Sequence, residues 1–328
     1  MLVLVVITGV VFDFINGFHD TANAIATVVS TGVLRPRTAV IMAGGFNILG
    51  AFLGTAVATT IGRDLIDPAH VTQAMVLAAL FSAITWNLIT WFFGIPSSSS
   101  HALVGGLVGA GIAGSVAVRG KGLEKVIAAL IVSPLFGFLA ALVLMIAVYW
   151  IVRRIPPAKI NKGFRTLQLF SSAFMALSHG TNDAQKTMGV ITMALVAYSG
   201  TYDPHATFPV PVWVVLTCAT AMGLGTAAGG WRIIHTMGSK IFKLRPIHGF
   251  CAETGAAVVL QLASHAGLPT STTHCITAAI MGAGSTTRLS AVRWGVTRNI
   301  LWAWILTIPF TIALAWLIYG GMRLAGIA

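Results

Sequence analysis

The chain has 328 residues, of which 56% are hydrophobic and 9% charged, and its mean hydropathy is +0.88. Soluble domains carry roughly 25% charged residues, so too few polar side chains remain here to cover a water-facing surface, and a soluble globular protein is excluded. The formal net charge of +12 does not point to nucleic acid, because the basic residues sit in loops between apolar runs, where topology signals belong.

Ten apolar segments follow one another, at about 2–31, 38–61, 71–94, 101–118, 126–152, 166–199, 210–229, 247–268, 274–287 and 292–325. Most match the roughly 20 residues that a spanning helix needs. They must be helical, because unpaired backbone cannot face lipid. Met1 runs straight into the first of them with no basic flank, so no cleavable signal peptide is expected. Segments 101–118 and 274–287 are short and rich in glycine, and each follows a turn of Pro and hydroxyl residues. This predicts two helical hairpins whose tips stop inside the membrane. Cys218, Cys251 and Cys275 show no metal or disulfide spacing and read as small buried residues.

Loop charges set the orientation. Arg35 and Arg37, then Arg153, Arg154, Lys159, Lys162 and Arg165, then Arg232, Lys240, Lys243 and Arg245, then Arg288, Arg293 and Arg298 all fall on one side. The positive-inside rule makes that side cytoplasmic and both termini extracytoplasmic. The opposite loops are nearly neutral: Arg63 is offset by Asp64 and Asp67, and 200–209 holds only Asp203 and His205. Arg119, Lys121 and Lys125 against Glu124 depart mildly from the rule.

The order of features repeats. Each half has an Asp in an apolar helix, a Pro-hydroxyl-His turn and a short glycine-rich helix. Residues 1–152 form a first repeat and 166–328 a second, joined by a basic cytoplasmic linker at 153–165. An odd number of crossings per half inverts the second copy. The expected fold is therefore an all-α polytopic membrane protein of two inverted-topology repeats. Each has a broken Asp-motif helix and a hairpin with a Ser/Thr-rich tip, an architecture used by secondary transporters.

The chemistry lies in four stretches. One is Asn16-Gly17-Phe18-His19-Asp20-Thr21-Ala22-Asn23-Ala24, and its counterpart is His179-Gly180-Thr181-Asn182-Asp183-Ala184-Gln185-Lys186-Thr187. A charge at the bilayer centre costs about 2.5–3.5 kcal/mol on insertion scales, so a carboxylate placed there is a functional candidate. The competing reading is a structural Asp183–Lys186 pair on one helix face. Asp20 has Asn23 where Asp183 has Lys186. Carboxylate and amide oxygens suit a hard cation, so Asp20, Asn23 and Asp183 are Na⁺ candidates, and the ammonium of Lys186 would take the place of a second ion. Asn182 and Glu253, the latter without an acidic counterpart, complete the cation-coupling set.

The other two stretches are Pro96-Ser97-Ser98-Ser99-Ser100-His101 and Pro269-Thr270-Ser271-Thr272-Thr273-His274. Each starts a helix whose first N–H groups, with the hydroxyls, would hold a phosphate-like anion. Ordinary helix capping is the competing reading for either run alone. A carboxylate accepts the proton of a P–OH group but repels sulfate, so Asp20 and Asp183 favour phosphate. His101 and His274 are candidates for gating, proton transfer or bracing of the tips. Trp86, Trp91, Trp302 and Trp304 read as lipid or interface anchors. No nucleophile–base motif or paired-metal spacing indicates an enzyme, and no cofactor is expected beyond a coupling H⁺ or Na⁺.

Together these four motifs resemble the inorganic phosphate transporter (PiT) family, over essentially the whole chain and in the variants of its bacterial low-affinity branch. The resemblance implies a secondary symporter in the cell's inner membrane, often dimeric. It would import inorganic phosphate, alone or as a metal phosphate, with H⁺ or Na⁺. Some members carry sulfate, so a sulfate or other oxyanion permease of the same fold is the alternative.

Overall fold

The computed structural model describes residues 1–200, 202–203 and 208–327; His205 lies outside them. Apart from an isolated antiparallel bridge between Ile66 and Val118, the ordered elements among the described residues are helical. The first half contains α1 (Leu2–Ser30), α2 (Pro36–Ala51), α3 (Ala56–Thr59, continued by a π-helical turn at Thr60–Asp64), α4 (Gln73–Phe93), α5 (Ser99–Ala113) and α6 (Gly120–Val152). The second contains α7 (Pro157–Ser199), α8 (Val212–Ala228), α9 (Trp231–His235, continued by a π-helical turn at Thr236–Lys240), α10 (Pro246–His265), α11 (Thr272–Ser285) and α12 (Trp294–Leu324). Thus one order recurs: a long helix, a bent pair, a hairpin and a long helix that carries an internal proline, Pro134 in α6 and Pro309 in α12.

Four helices (α1, α4, α6 and α12) are long and apolar enough to cross a membrane, or six spans if each bent pair counts as one. The expected break in the Asp-motif helices does not occur. α1 runs unbroken through Asp20 and α7 through Asp183. Side chains bond back along the helix there: Thr21 Oγ1 donates to Gly17 O at 2.7 Å, and Thr181 Oγ1 to Leu177 O at 2.8 Å. The breaks fall one segment later, where α2 and α3 meet at 68° and α8 and α9 at 61°. Gly229, with φ at +80°, forms the second of these corners. The basic stretch 153–165 is helical from Pro157 onward, so the two halves meet through a tight turn rather than a loose connection.

The hairpins form as expected. Gly94 and Gly267, both at φ +65°, turn the chain after the first arms, a left-handed conformation that costs an L side chain roughly 1–2 kcal/mol. The second arms, α5 and α11, have 15 and 14 residues. At 1.5 Å per residue they reach only about 20 Å, short of a bilayer core of roughly 30 Å. Each hairpin sits in its own apolar cluster, α4/α5 around Leu77, Leu80 and Leu103, and α10/α11 around Leu260, Ile276 and Ile280.

Packing is exchanged between the halves. α6 lies against α10 and α11, while α12 lies against α4 and α5; α1 packs on α8 and α7 on α2. This reciprocity brings both Asp helices and both hairpin tips to one buried layer.

Candidate ion and anion site

The tips meet each other. Ser100 Oγ donates to Thr270 O at 3.1 Å, and Ser97 through Ser100 and Thr270 through Thr273 are all buried. The hydroxyls divide their work. Ser98 and Ser271 cap α5 and α11, each accepting the backbone N–H three residues on, from His101 and His274, at 3.2 Å. The capping reading therefore holds for these two, with a usual worth of about 1 kcal/mol. Ser97 turns away to donate to Thr90 Oγ1 at 2.8 Å. Ser99, Ser100, Thr272 and Thr273 face the acidic motifs.

Asp20 gathers three of these contacts. Its Oδ2 accepts from Ser99 Oγ at 2.7 Å, and its Oδ1 from Thr273 Oγ1 at 3.2 Å and His19 Nδ1 at 2.7 Å. His19 is held in turn by Thr90 Oγ1, 3.0 Å from Nε2. Asn23 Nδ2 donates to Thr272 Oγ1 at 3.1 Å and Thr273 Oγ1 at 2.9 Å. Asp183 Oδ2 accepts from Thr272 Oγ1 at 2.8 Å. So both carboxylates touch the second hairpin, and Asp20 also touches the first.

Lys186 lies between Asp183 and the two tips. Its ammonium donates to Asp183 Oδ1, to Ser100 Oγ and, at 2.8 Å, to Thr270 O. Three oxygens around one ammonium is the kind of shell that a small cation would take. The i,i+3 ion pair with Asp183 is therefore real, and it also clamps both tips.

Acceptors outnumber donors around the carboxylates. Asn47 Nδ2 donates to Thr226 Oγ1 at 2.7 Å, so its Oδ1 faces His179 Nδ1, 3.2 Å away, and must accept from it. The other ring nitrogen of His179, Nε2, lies 3.2 Å from Asp183 Oδ2. Ligand atoms of Asp20, His179 and Asp183 lie within 4.8 Å of one another. Asn16 Oδ1, Asn23 Oδ1 and Asn182 Oδ1 are buried without partners. The lone pairs of Asp20 and Asp183, with Asn23 Oδ1 beside them, call for protons or metal cations. Formally, two carboxylates and one ammonium leave the layer with a single negative charge.

Other candidates lie apart. Asn182 Nδ2 donates to Ser264 Oγ at 2.9 Å, toward α10. Glu253 shares no partner with either aspartate. It is fully buried and accepts from Thr27, Ser171 and, at 3.1 Å, Gln168 Nε2. His101 and His274 stack on each other with centroids 4.4 Å apart, and Trp304 stacks on His274 at 3.8 Å. Trp304 Nε1 also donates to Pro96 O at 3.1 Å and Trp86 Nε1 to Thr307 Oγ1 at 3.0 Å. These two indoles are internal braces, a correction to the lipid-anchor reading; Trp302 remains exposed. Thr90 and Thr226 were missed by the sequence reading. Each is an isolated polar residue in an apolar run, which was the available signal.

Three comparisons bear on this layer. A family model described as "Phosphate transporter family" matches residues 16–315. A Rhizobium meliloti (strain 1021) protein named as a probable low-affinity inorganic phosphate transporter is 51% identical, covering 97% of this chain and 96% of that one. A Bacillus subtilis (strain 168) protein of the same name is 48% identical over 97% and 96%. A solved structure, described as the sodium-dependent phosphate transporter, superposes with a TM-score of 0.88 at 25% identity, covering 98% of this chain and 99% of that one. The matched region contains the two Asp motifs and both hairpin tips, and the helical architecture agrees over nearly the full length. This chain is a multi-pass membrane protein that belongs to the phosphate transporter family.

Proposed function

We propose that the chain is a secondary symporter that imports inorganic phosphate, free or as a metal phosphate, with H⁺ or Na⁺ by alternating access. Charge balance carries this reading. Counted formally, the two carboxylates and one ammonium between the hairpin tips sum to one negative charge. Phosphate adds one or two more, and burying unbalanced charge is prohibitive. Phosphate therefore enters only with cations. On entry of the anion, Ser99, Ser100, Thr272 and Thr273 redirect their hydroxyls to it from Asp20, Thr270 O and Asp183, the first N–H groups of α5 and α11 add donors, and Asp20 or Asp183 accepts a P–OH proton. The same carboxylates repel sulfate. Asp20, Asn23, His179 and Asp183 supply cation ligands, and Lys186 stands in for one ion.

In this mechanism residues 1–152 and 166–328 act as inverted repeats, and the hairpins release the layer to one face at a time. The basic loops lie on the cytoplasmic side of the inner membrane, with both termini outside. The assembly that the resemblance implies is a homodimer.

The decisive test is uptake of labelled phosphate into proteoliposomes with Na⁺ and pH gradients imposed separately and with sulfate as competitor. Accumulation against the phosphate gradient should require one of the cation gradients and vanish in Asp20→Asn. Accumulation without either gradient, or sulfate competing as well as phosphate, overturns the proposal.

A further inference from the structure

Away from the site, a recess of about 490 Å³ opens where α6 ends and α7 and α10 begin; polar Tyr149, Asn161, Arg245 and His248 line it together with apolar Ile160 and Ile247. Its polar lining is oriented. His248 is buried, and its Nδ1 accepts the backbone N–H of Arg245 at 3.1 Å. A neutral ring then carries its proton on Nε2, 3.2 Å from the phenol oxygen of Tyr149. That N–H donates to the phenol, which leaves the phenol O–H free to point elsewhere. The Arg245 guanidinium has no hydrogen bond or ion pair among the described residues. No carboxylate lines the recess. The stretches 153–165 and 230–246 contain no acidic residue, while Arg153, Arg154, Lys159, Lys162, Arg165 and Lys243 surround the recess in sequence.

A lining that pairs a guanidinium and a phenol with apolar side chains, and holds no carboxylate, fits an oxyanion that carries an apolar body. The recess also lies at helix ends, where Arg153 sits over the Trp150 ring at 4.7 Å, an arrangement typical of the bilayer–water boundary. Basic pockets between helices at that depth recognise lipid headgroups, and a guanidinium with a phenol is a strong pair of phosphate donors. We propose that this recess binds the phosphate group of an anionic phospholipid, tying the α6–α7 junction to the base of the second hairpin. Inorganic phosphate offers the same group but leaves the apolar lining residues Ile160 and Ile247 wet. The proposal rests on the chain crossing a bilayer and not on what it transports.

The test is native mass spectrometry of the full chain released from bilayers of phosphatidylcholine with phosphatidylglycerol. The wild type should retain phosphatidylglycerol, and millimolar inorganic phosphate should not displace it. Retention should fall at least fivefold in Arg245→Gln and in Tyr149→Phe, which removes only one hydroxyl. Thermal unfolding in phosphatidylcholine alone identifies a variant that has lost its fold, and Tyr149→Phe keeps the comparison open if Arg245→Gln does. Unchanged retention in folded variants overturns the proposal. Displacement by inorganic phosphate, or equal retention of both lipids, overturns it as well.

Discussion

Lys186 and Glu253 are both buried titratable groups, held by opposite means. Lys186 completes an ion pair and three oxygen contacts, whereas Glu253 is surrounded by neutral donors only. If the ammonium replaces a bound ion, Lys186→Asn recreates the Asp20/Asn23 arrangement. Phosphate uptake should then require about one more cation per turnover, read as a steeper dependence on Na⁺ or pH. An unchanged stoichiometry removes Lys186 from the coupling machinery. Lys186→Met, by contrast, strands Asp183 and should cost roughly 3–5 kcal/mol, the range for breaking a buried pair. For Glu253, a Leu would leave the donors of Thr27, Ser171 and Gln168 unmet, at about 1–3 kcal/mol per buried group. Glu253→Leu should unfold several degrees below wild type, and Glu253→Gln close to it. A shift of cation preference in Glu253→Gln at unchanged Tm would place Glu253 among the coupling residues.

At the scale of helices, the glycine three residues before each aspartate explains why the motif does not break its helix. A Cβ on Gly17 would stand 2.3 Å from Met222 O on α8, and one on Gly180 2.2 Å from Asn47 O on α2. Small residues at such points let membrane helices approach closely. The glycine in Gly-x-x-Asp therefore serves contact, not flexure, and sequence alone does not distinguish the two uses. That is why the break was expected in α1 and α7 and occurs instead between α2 and α3 and between α8 and α9. Because both obstacles are backbone atoms, overpacking should cost at least the usual 1–3 kcal/mol. Gly180→Ala should displace α7 from α2, carrying Asp183 out of register, and reduce phosphate uptake tenfold or more. Gly163, in the same helix with open space around it, is the control: Gly163→Ala should be neutral or stabilise by about 0.5–1 kcal/mol. Equal behaviour of the two variants in uptake and thermal unfolding would rule out the packing argument.

Across the whole molecule, what was legible depended on range. Hydropathy located the apolar segments, and the Pro-hydroxyl turns located the hairpins, because both signals are local. The partners that orient the site are not local. Thr90 reaches His19, Asn47 and Thr226 order His179, and Gln168 reaches Glu253, through helix crossings that no single segment encodes. Loop charge is a signal of a third kind, since it speaks of the membrane and not of contacts. The loop before α4 and the start of α7 belong to opposite faces if the basic loops are cytoplasmic. Ala69 and Ala158 are exposed at these two places, whereas Cys218, Cys251 and Cys275 are buried, so native thiols contribute little background. In intact cells an impermeant maleimide should label Ala69→Cys and spare Ala158→Cys until the membrane is opened. The reverse pattern inverts the topology and, with it, the face from which phosphate enters. Labelling of both sites in sealed cells would contradict the odd number of crossings that separates them in the proposed arrangement, the α4/α5 hairpin followed by the single crossing of α6.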